Sequence, residues 1–377
     1  MRMATMEIQA AVVNEEGAEP QLESLELEDE PRPDEVLVRI VSAGVCHTDL
    51  STADNFYGGP PYPQVLGHEG AGVVEAVGAE VDKVEVGDHV AMSYDFCGEC
   101  PNCLSGKIPY CENLYEHNFL GERLSDGSSP ISRDGERVSG CFFAQSSWAT
   151  HSIANERNVV KVDDDVPLEI VGPLGCGIQT GAGAVMNALE PESGSSLAVF
   201  GVGSVGISSV MAAANVSSCT QIVAVDLNGD RLEKAADLGA THTINPDETE
   251  DVVDAIHDIT GGGADYSIET TAVPEVLRQA VDCTTIPGEC GLIGAAPAGT
   301  EVSLDMHTFH FGHKLRGIIE GDAVPELFIP TLLELWKQDR FPFDEIVTHY
   351  DFDEIHRAIH DAEEGHTIKP VLNVGDP

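Results

Sequence analysis

Four cysteines, Cys97, Cys100, Cys103 and Cys111, are spaced C-x2-C-x2-C-x7-C. Thiolates so placed close a tetrahedral shell around Zn2+ with no position left for substrate, so the site staples a loop. Gly98 and Pro101 supply the tight turns between ligands. An iron–sulfur cluster is the competing reading, separated by iron content and a visible absorption band. A second kind of chemistry is offered by Cys46-His47-Thr48-Asp49, which places a soft ligand, a basic ring, a hydroxyl and a carboxylate side by side. Gly67-His68-Glu69 and Gly175-Cys176-Gly177 carry further metal ligands. Catalytic zinc keeps three protein ligands and leaves the fourth position open. Cys46, His68 and Cys176 would form such a Cys2His set. Asp49 could then accept the spare ring N–H of His68 and fix its tautomer, and Glu69 would tune the local field. Spacing alone does not join residues so far apart. Each, taken singly, also reads as a buried thiol or a structural histidine.

The glycine loop Gly201-x-Gly203-x-x-Gly206 follows the apolar run Ser196–Phe200 and opens a small-residue helix over Ser204–Asn215. That is the context in which such a loop binds a dinucleotide: the glycines allow the turn, close approach of pyrophosphate and helix–strand packing. The helix N-terminus favours the phosphate charge. Alone the motif is weak in a chain with 38 glycines. Asp226 ends the next expected strand. A carboxylate there binds the adenosine ribose hydroxyls and repels a 2′-phosphate, which favours NAD over NADP. The plain alternative is a surface aspartate at a strand end.

The elements that must hold these residues fall into two textures. The first third reads as β-rich: Glu7–Val13, Leu22–Leu27, Glu35–Val41, Gly70–Val77 and Asp88–Met92 alternate or carry β-branched residues between Gly and Pro punctuation. From about Gly172, strands at Ser196–Phe200, Ile222–Asp226, Thr241–Ile244, Tyr266–Glu269 and Cys290–Gly294 alternate with helices near Ser204–Asn215, Asp230–Leu238, Glu250–Ile259 and Pro274–Val281. This alternation predicts a doubly wound parallel sheet. Two helices, near Pro325–Gln338 and Phe352–Glu364, and a closing strand, Lys369–Val374, end the chain. No internal repeat or low-complexity segment is present.

At 377 residues the chain is long for one core, and two domains are expected. No apolar run reaches the roughly 18 residues needed to span a bilayer. Met1–Ala10 lacks the apolar core of a secretory signal. A cytoplasmic location is therefore expected. Asp and Glu number 65 against 19 Lys and Arg, a formal net charge of -46, dispersed along the chain. Nucleic acid is a poor partner for such a surface. Its self-repulsion is screened only at high ionic strength, which points to a salt-rich cytoplasm. An ordinary acidic protein is the alternative. Ten cysteines, four of them clustered, read as metal chemistry rather than disulfides.

Together these motifs resemble the zinc-dependent medium-chain alcohol dehydrogenases over nearly the whole chain. Phe142-Phe143-Ala144-Gln145-Ser146-Ser147 and Pro173-Leu174-Gly175-Cys176-Gly177-Ile178-Gln179-Thr180-Gly181 are similar to the benzyl or aryl-alcohol branch. The resemblance implies an α/β chain: a GroES-like β-barrel catalytic domain over 1–175 and 321–377, and a Rossmann NAD-binding domain over 176–320, with the active site in the cleft between them. It implies catalytic zinc on Cys46, His68 and Cys176, and structural zinc on Cys97, Cys100, Cys103 and Cys111. Thr48 matches the hydroxyl that bonds the substrate alcohol and passes on its proton. His47 and Lys369 match basic groups near the pyrophosphate, Thr180 and Val205 match contacts to the nicotinamide, and Arg231 falls near the adenosine. Many relatives end the proton relay in a histidine three positions after Thr48; here that position is Ser51. His47 or a water chain is the substitute. The implied reaction interconverts a primary, benzylic alcohol and its aldehyde with NAD, in a homotetramer or dimer. Phe56, Tyr57, Tyr94, Phe96 and Phe142 are candidates for the pocket wall. Aliphatic alcohols, a polyol or a formaldehyde adduct are alternative substrates. A non-catalytic, zinc-stapled nucleotide-binding protein is the alternative of another class, and a zinc-free quinone reductase ranks last because both metal sites are present.

Overall fold

The computed structural model describes residues 4–56 and 58–376. Its contacts divide the chain into two units. The first runs to Cys176 and takes in Val324–Pro330 and the stretch from Ile346; the second comprises Gly177–Ala323 and Thr331–Glu345. The sequence reading kept everything after 321 in the first domain. Residues 331–345 instead group with the second unit, where Arg340 donates to the Asn215 carbonyl at 3.2 Å and Lys234 pairs with Glu345 at 2.8 Å.

In the first unit the strands are β1 (Thr5–Val13), β2 (Gln21–Glu28), β3 (Glu35–Gly44), β4 (Gln64–Val65), β5 (Gly70–Val77), β6 (His89–Met92), β7 (Ile131–Arg133), β8 (Glu136–Val138), β9 (His151–Asn155) and β10 (Val159–Lys161), joined near the end by β17 (Val347–Asp351) and β18 (Lys369–Asn373). One sheet has the order β4-β1-β2-β7-β8; the other has β10-β6-β5-β3-β18-β17, with β9 on β3. β3 is the hinge of the design. Its apolar run Val36-Leu37-Val38 is buried and pairs with β5 and β9, while Ser42-Ala43-Gly44 at its end pair with β18. Ala43 pairs with Gly70 on β5 and with Leu372 on β18. The segment leaving β3 therefore lies beside the segment entering β5, and Cys46 comes to face His68. The Gly44 amide donates to the Glu69 carbonyl at 2.9 Å, and the Val45 amide donates to that of Pro370 at 3.0 Å.

The second unit carries β11 (Ser196–Phe200), β12 (Gln221–Val225), β13 (His242–Ile244), β14 (Ala264–Glu269), β15 (Thr284–Leu292) and β16 (Lys314–Gly317). They form one parallel sheet in the order β13-β12-β11-β14-β15-β16. All five residues of β11 are buried, as expected of a central strand covered on both faces. The helix Ser204–Asn215 is built of small residues and lies close to its neighbours: a Cβ on Gly206 would fall 1.9 Å from the Gly201 carbonyl oxygen. The alternation of strands and helices is thus as the sequence predicts. β16 and β17 are additions, since Lys314-Leu-Arg-Gly and Val347-Thr-His-Tyr-Asp carry no apolar run. β15 begins earlier than expected, because Pro287 and Gly288 interrupt its pattern. Among the described residues no helix is long and apolar enough to cross a membrane.

Candidate functional site

In the first unit the Sγ atoms of Cys46 and Cys176, a ring nitrogen of His68 and a carboxylate oxygen of Glu69 all lie within 4.8 Å of one another. Each arrives from a different element. Cys46 caps the helix His47–Ala53 immediately after β3. His68 and Glu69 precede β5, behind Gly67, whose φ of 90° favours glycine and where a Cβ would meet the Trp148 amide at 2.5 Å. Cys176 ends the turn Gly172–Gly175, which approaches so closely that a Cβ on Gly175 would sit 2.0 Å from the Met92 carbonyl oxygen.

Asp49 organises two of these groups. Its Oδ1 meets His68 Nδ1 at 2.8 Å and accepts the Gly67 N–H at 3.0 Å; its Oδ2 accepts the Cys46 N–H at 3.0 Å. With Nδ1 engaged, His68 Nε2 is buried with no hydrogen-bond partner. An orphaned imidazole nitrogen beside two thiols is a poor arrangement for a bare protein and a fitting one for zinc. The Cys46 thiol is held well below the usual range, first by a hydrogen bond with the Cys176 thiol and then, against burial, by Lys369 and His68.

Beneath this cluster lies a buried ion pair. Lys369 Nζ donates to both Glu69 oxygens, at 2.8 and 2.7 Å, and both side chains are almost wholly buried. Burial alone would pull Lys369 down; Glu69, then Cys46, reverse this and hold it above the ordinary lysine range. The sequence reading placed Lys369 beside the pyrophosphate. In the structure its ammonium bonds Glu69.

Thr48 Oγ1 stands 3.8 Å from Cys46 Sγ. His47 is exposed at the start of its helix, and Ser51 follows in the same helix, half-buried. Of the aromatic candidates, Phe142 meets the His68 ring edge-on at 5.6 Å, while the rings of Tyr94 and Phe96 are tilted by 54° at 6.3 Å. Phe56 is exposed. Tyr57 lies outside the described residues. Phe143, part of the Phe142–Ser147 motif but not among the pocket candidates, lies nearer to His68 than Phe142 does, at 4.6 Å and 34°. Phe119 meets Phe143 at 5.2 Å and stacks on Tyr115 at 5.4 Å. Phe143, Ala144 and Ser146 all have left-handed backbones, with φ of 50°, 51° and 52°. That costly geometry is clamped by two polar side chains, Asn158, absent from the motifs read in the sequence, and Gln145, which belongs to the Phe142–Ser147 motif. Asn158 Nδ2 donates to the carbonyls of Phe143 at 3.0 Å and Ser93 at 3.2 Å. Gln145 donates to the His68 carbonyl at 3.0 Å and accepts the Gly70 N–H at 3.1 Å. For Asn158 the only sequence signal is a polar residue beside apolar neighbours.

Cys97, Cys100, Cys103 and Cys111 likewise bring their sulfurs within 4.8 Å of one another. Backbone N–H groups aim at them: Cys100 to Cys97 at 3.3 Å, Cys97 to Cys111 at 3.4 Å, and Glu112 to Cys100 at 3.5 Å. The amides of Cys103 and Glu112 pull the Cys100 thiol down to about 6, whereas burial and the Cys100 neighbour push Cys103 up to about 12. Four thiols so close cannot all ionise unless a cation shares their charge, which fits zinc.

In the second unit the glycine loop joins β11 to the helix Ser204–Asn215. Gly201 has φ 84°, and a Cβ there would strike Thr270 Oγ1 at 2.5 Å. At Gly203 a Cβ would meet nothing within 4 Å, so open space lies beside the loop, as pyrophosphate approach requires. Asp226 directly follows β12; its Oδ2 accepts the Val202 N–H at 2.7 Å and its Oδ1 that of Asn228 at 2.9 Å. Val205 is half-buried beside the loop, and Thr180 Oγ1 lies 3.4 Å from Glu320. Arg231 holds its Nε buried with no protein partner.

Residues 32–164 match the alcohol dehydrogenase GroES-like domain and residues 204–337 the zinc-binding dehydrogenase family. The chain is 44% identical over 365 residues to a geraniol dehydrogenase of Castellaniella defragrans, covering 97% of each chain. The crystal structure of benzyl alcohol dehydrogenase from Acinetobacter calcoaceticus superposes with a TM-score of 0.94 at 43% identity, covering 98% of this chain and 100% of that one. A zinc-binding alcohol dehydrogenase domain protein from Burkholderia ambifaria gives 0.95 at 47% identity, covering 99% and 100%. With a GroES-like unit, a Rossmann-like parallel sheet and two clusters suited to zinc, the chain belongs to the zinc-dependent medium-chain alcohol dehydrogenases.

Proposed function

We propose that this enzyme oxidises primary alcohols whose carbinol carbon adjoins a π system, benzylic or allylic, to the aldehyde, using NAD. The observation that carries the reading is the aromatic ladder at the metal cluster: Phe143 lies over His68, with Phe119 and then Tyr115 beyond it. Flat, polarisable walls favour flat substrates by offset stacking. The similar chains named for geraniol and benzyl alcohol act on alcohols of this kind.

Zinc, when bound, polarises the alcohol oxygen, and the dinucleotide accepts the hydride. The chain's own residues do the rest. Cys46 and Cys176 contribute negative charge and His68 a neutral Nε2, because Asp49 engages Nδ1. Thr48 takes the alcohol proton onto its hydroxyl and hands it outward. With Ser51 in place of a histidine, the exposed His47 is the assigned acceptor. Asp226 selects NAD: its carboxylate is pinned beside the loop by the Val202 N–H and stands against a 2′-phosphate.

The test is reduced-dinucleotide formation from benzyl alcohol, geraniol, ethanol and sorbitol, with NAD and with NADP, in concentrated KCl. The expected ranking places benzyl alcohol and geraniol first and NAD well above NADP. Ethanol or sorbitol in first place would refute the substrate class; equal rates with NADP would refute the role of Asp226.

A further inference from the structure

In a parallel sheet of this order the ligand crosses the carboxyl ends of the strands where the connections diverge, here between β11 and its neighbours β12 and β14. Asp226, after β12, marks the adenosine side. The nicotinamide half must then extend the other way, toward β14, β15 and β16.

Three carboxylates stand at or just beyond the strand ends on that side. Glu269, fully buried, is committed to its own turn: it accepts the Ala272 N–H at 3.3 Å and also bonds the Thr271 amide. Asp322 pairs with Arg316 at 2.5 Å. Glu320 is placed differently. It lies three residues after β16, and its Oε2 accepts from Gln179 Nε2 at 3.2 Å and from Thr180 Oγ1 at 3.4 Å. The helix Gly177–Gly183 carrying those residues abuts the glycine loop: a Cβ on Gly181 would sit 2.0 Å from the Val205 carbonyl oxygen, and Ser209 Oγ donates to the Gly181 carbonyl at 2.9 Å. Glu320 thus bonds two residues of the same helix turn as Gly181, which touches the loop.

Its position is held against backbone preference. Glu320, Gly321 and Asp322 have φ of 50°, 66° and 52°. Asn187 Nδ2 donates to the Gly321 carbonyl at 3.2 Å, Arg316 bridges Asp322 and the Ala188 carbonyl, and a Cβ on Gly321 would strike the Gln179 carbonyl oxygen at 2.5 Å.

We propose that Glu320 is a positioning residue that sets the charge preference of the nicotinamide half of the site, so that the cationic, oxidised dinucleotide binds more tightly than it would beside a neutral side chain. The reduced ring is uncharged and gains nothing. The proposal rests on the dinucleotide reading above and adds to it a preference for the oxidised dinucleotide, which, held more tightly, is correspondingly a weaker hydride acceptor within the complex.

The experiment titrates NAD+, NADH and ADP-ribose into the zinc-loaded full chain, wild type, Glu320→Gln and Glu320→Asp. Gln keeps an acceptor oxygen for Thr180 and removes the charge. The expected result is NAD+ binding weakened about tenfold in Glu320→Gln, as one unit charge contributes across a few ångströms of half-wet protein, with NADH and ADP-ribose unchanged and the NAD+/NADH ratio restored in Glu320→Asp. Equal weakening of NAD+ and NADH, or an unchanged ratio, would overturn it. Wild type that binds none of the three, ADP-ribose included, would instead take down the dinucleotide reading and this inference with it.

Discussion

The carboxylate of Asp49 meets the imidazole of His68 at 2.8 Å with neither side chain exposed to solvent. Because the same carboxylate also accepts the Cys46 and Gly67 amides, one group orients two of the three expected zinc ligands. Asparagine would turn an NH2 toward at least one of these N–H donors. Asp49→Asn is expected to lower zinc affinity and kcat/KM by about 10–100-fold. Zinc content after dialysis and steady-state rates check this; a variant that keeps its metal and its rate would show that the imidazole needs no such support.

The four-cysteine cluster predicts a separable effect. Replacing Cys103 by serine removes one ligand from a closed shell, and zinc content should fall from two atoms per chain to one. Thermal stability should fall with it, since a structural zinc contributes folding free energy directly. Turnover at low temperature should persist. Loss of both metals together would mean that the sites are not independent.

Phe143 is held over His68 by three left-handed residues and the buried Asn158 amide. If the ring serves substrate recognition, Phe143→Leu keeps apolar bulk and loses the π face. Its kcat/KM for benzyl alcohol should drop about five- to tenfold, the size of one aromatic pair, with ethanol little affected. Equal losses on both substrates would make Phe143 a packing residue only. Asn158→Ala should cost about 2–3 kcal/mol, because buried carbonyls lose their donor.

The relay makes a pH-resolved prediction. With Ser51 where relatives place a histidine, His47 is the assigned outer acceptor. His47→Gln should therefore lower turnover more at low pH, where no solvent base can substitute, than at high pH. A mutant-to-wild-type ratio that stays flat across pH would remove His47 from the path.

How much of this was readable beforehand depended on range. The glycine loop, the cysteine cluster and β11 are local patterns, and local periodicity fixes them. The Cys46–His68 encounter is not local: it follows from the register that sets Ala43 opposite Gly70, which only a family likeness could anticipate. The Lys369–Glu69 pair spans 300 positions, and nothing in either neighbourhood announces it. Left-handed backbone at Phe143 was equally hidden, because a phenylalanine in a buried run predicts ordinary core.

The surface carries the last prediction. With 65 acidic and 19 basic residues, most carboxylates have no cation to meet. Several of the basic groups are already engaged, as in Arg32–Asp126, Arg133–Glu23 and Arg137–Glu122. Such exposed pairs each contribute only about 0–1 kcal/mol, so they do not offset the repulsion. Salt does so by shortening its range, from about 10 Å at 0.1 M to about 3 Å at 1 M. The unfolded chain, being more expanded, feels that repulsion less, so screening favours the folded state. Thermal unfolding followed against KCl should show a melting temperature that climbs through the molar range. Sodium sulfate, compared at equal ionic strength, separates screening from surface exclusion: the same gain in both salts supports screening, and a much larger gain in sulfate supports exclusion. A melting temperature highest in dilute buffer would mean that the carboxylates are tolerated rather than adapted to salt.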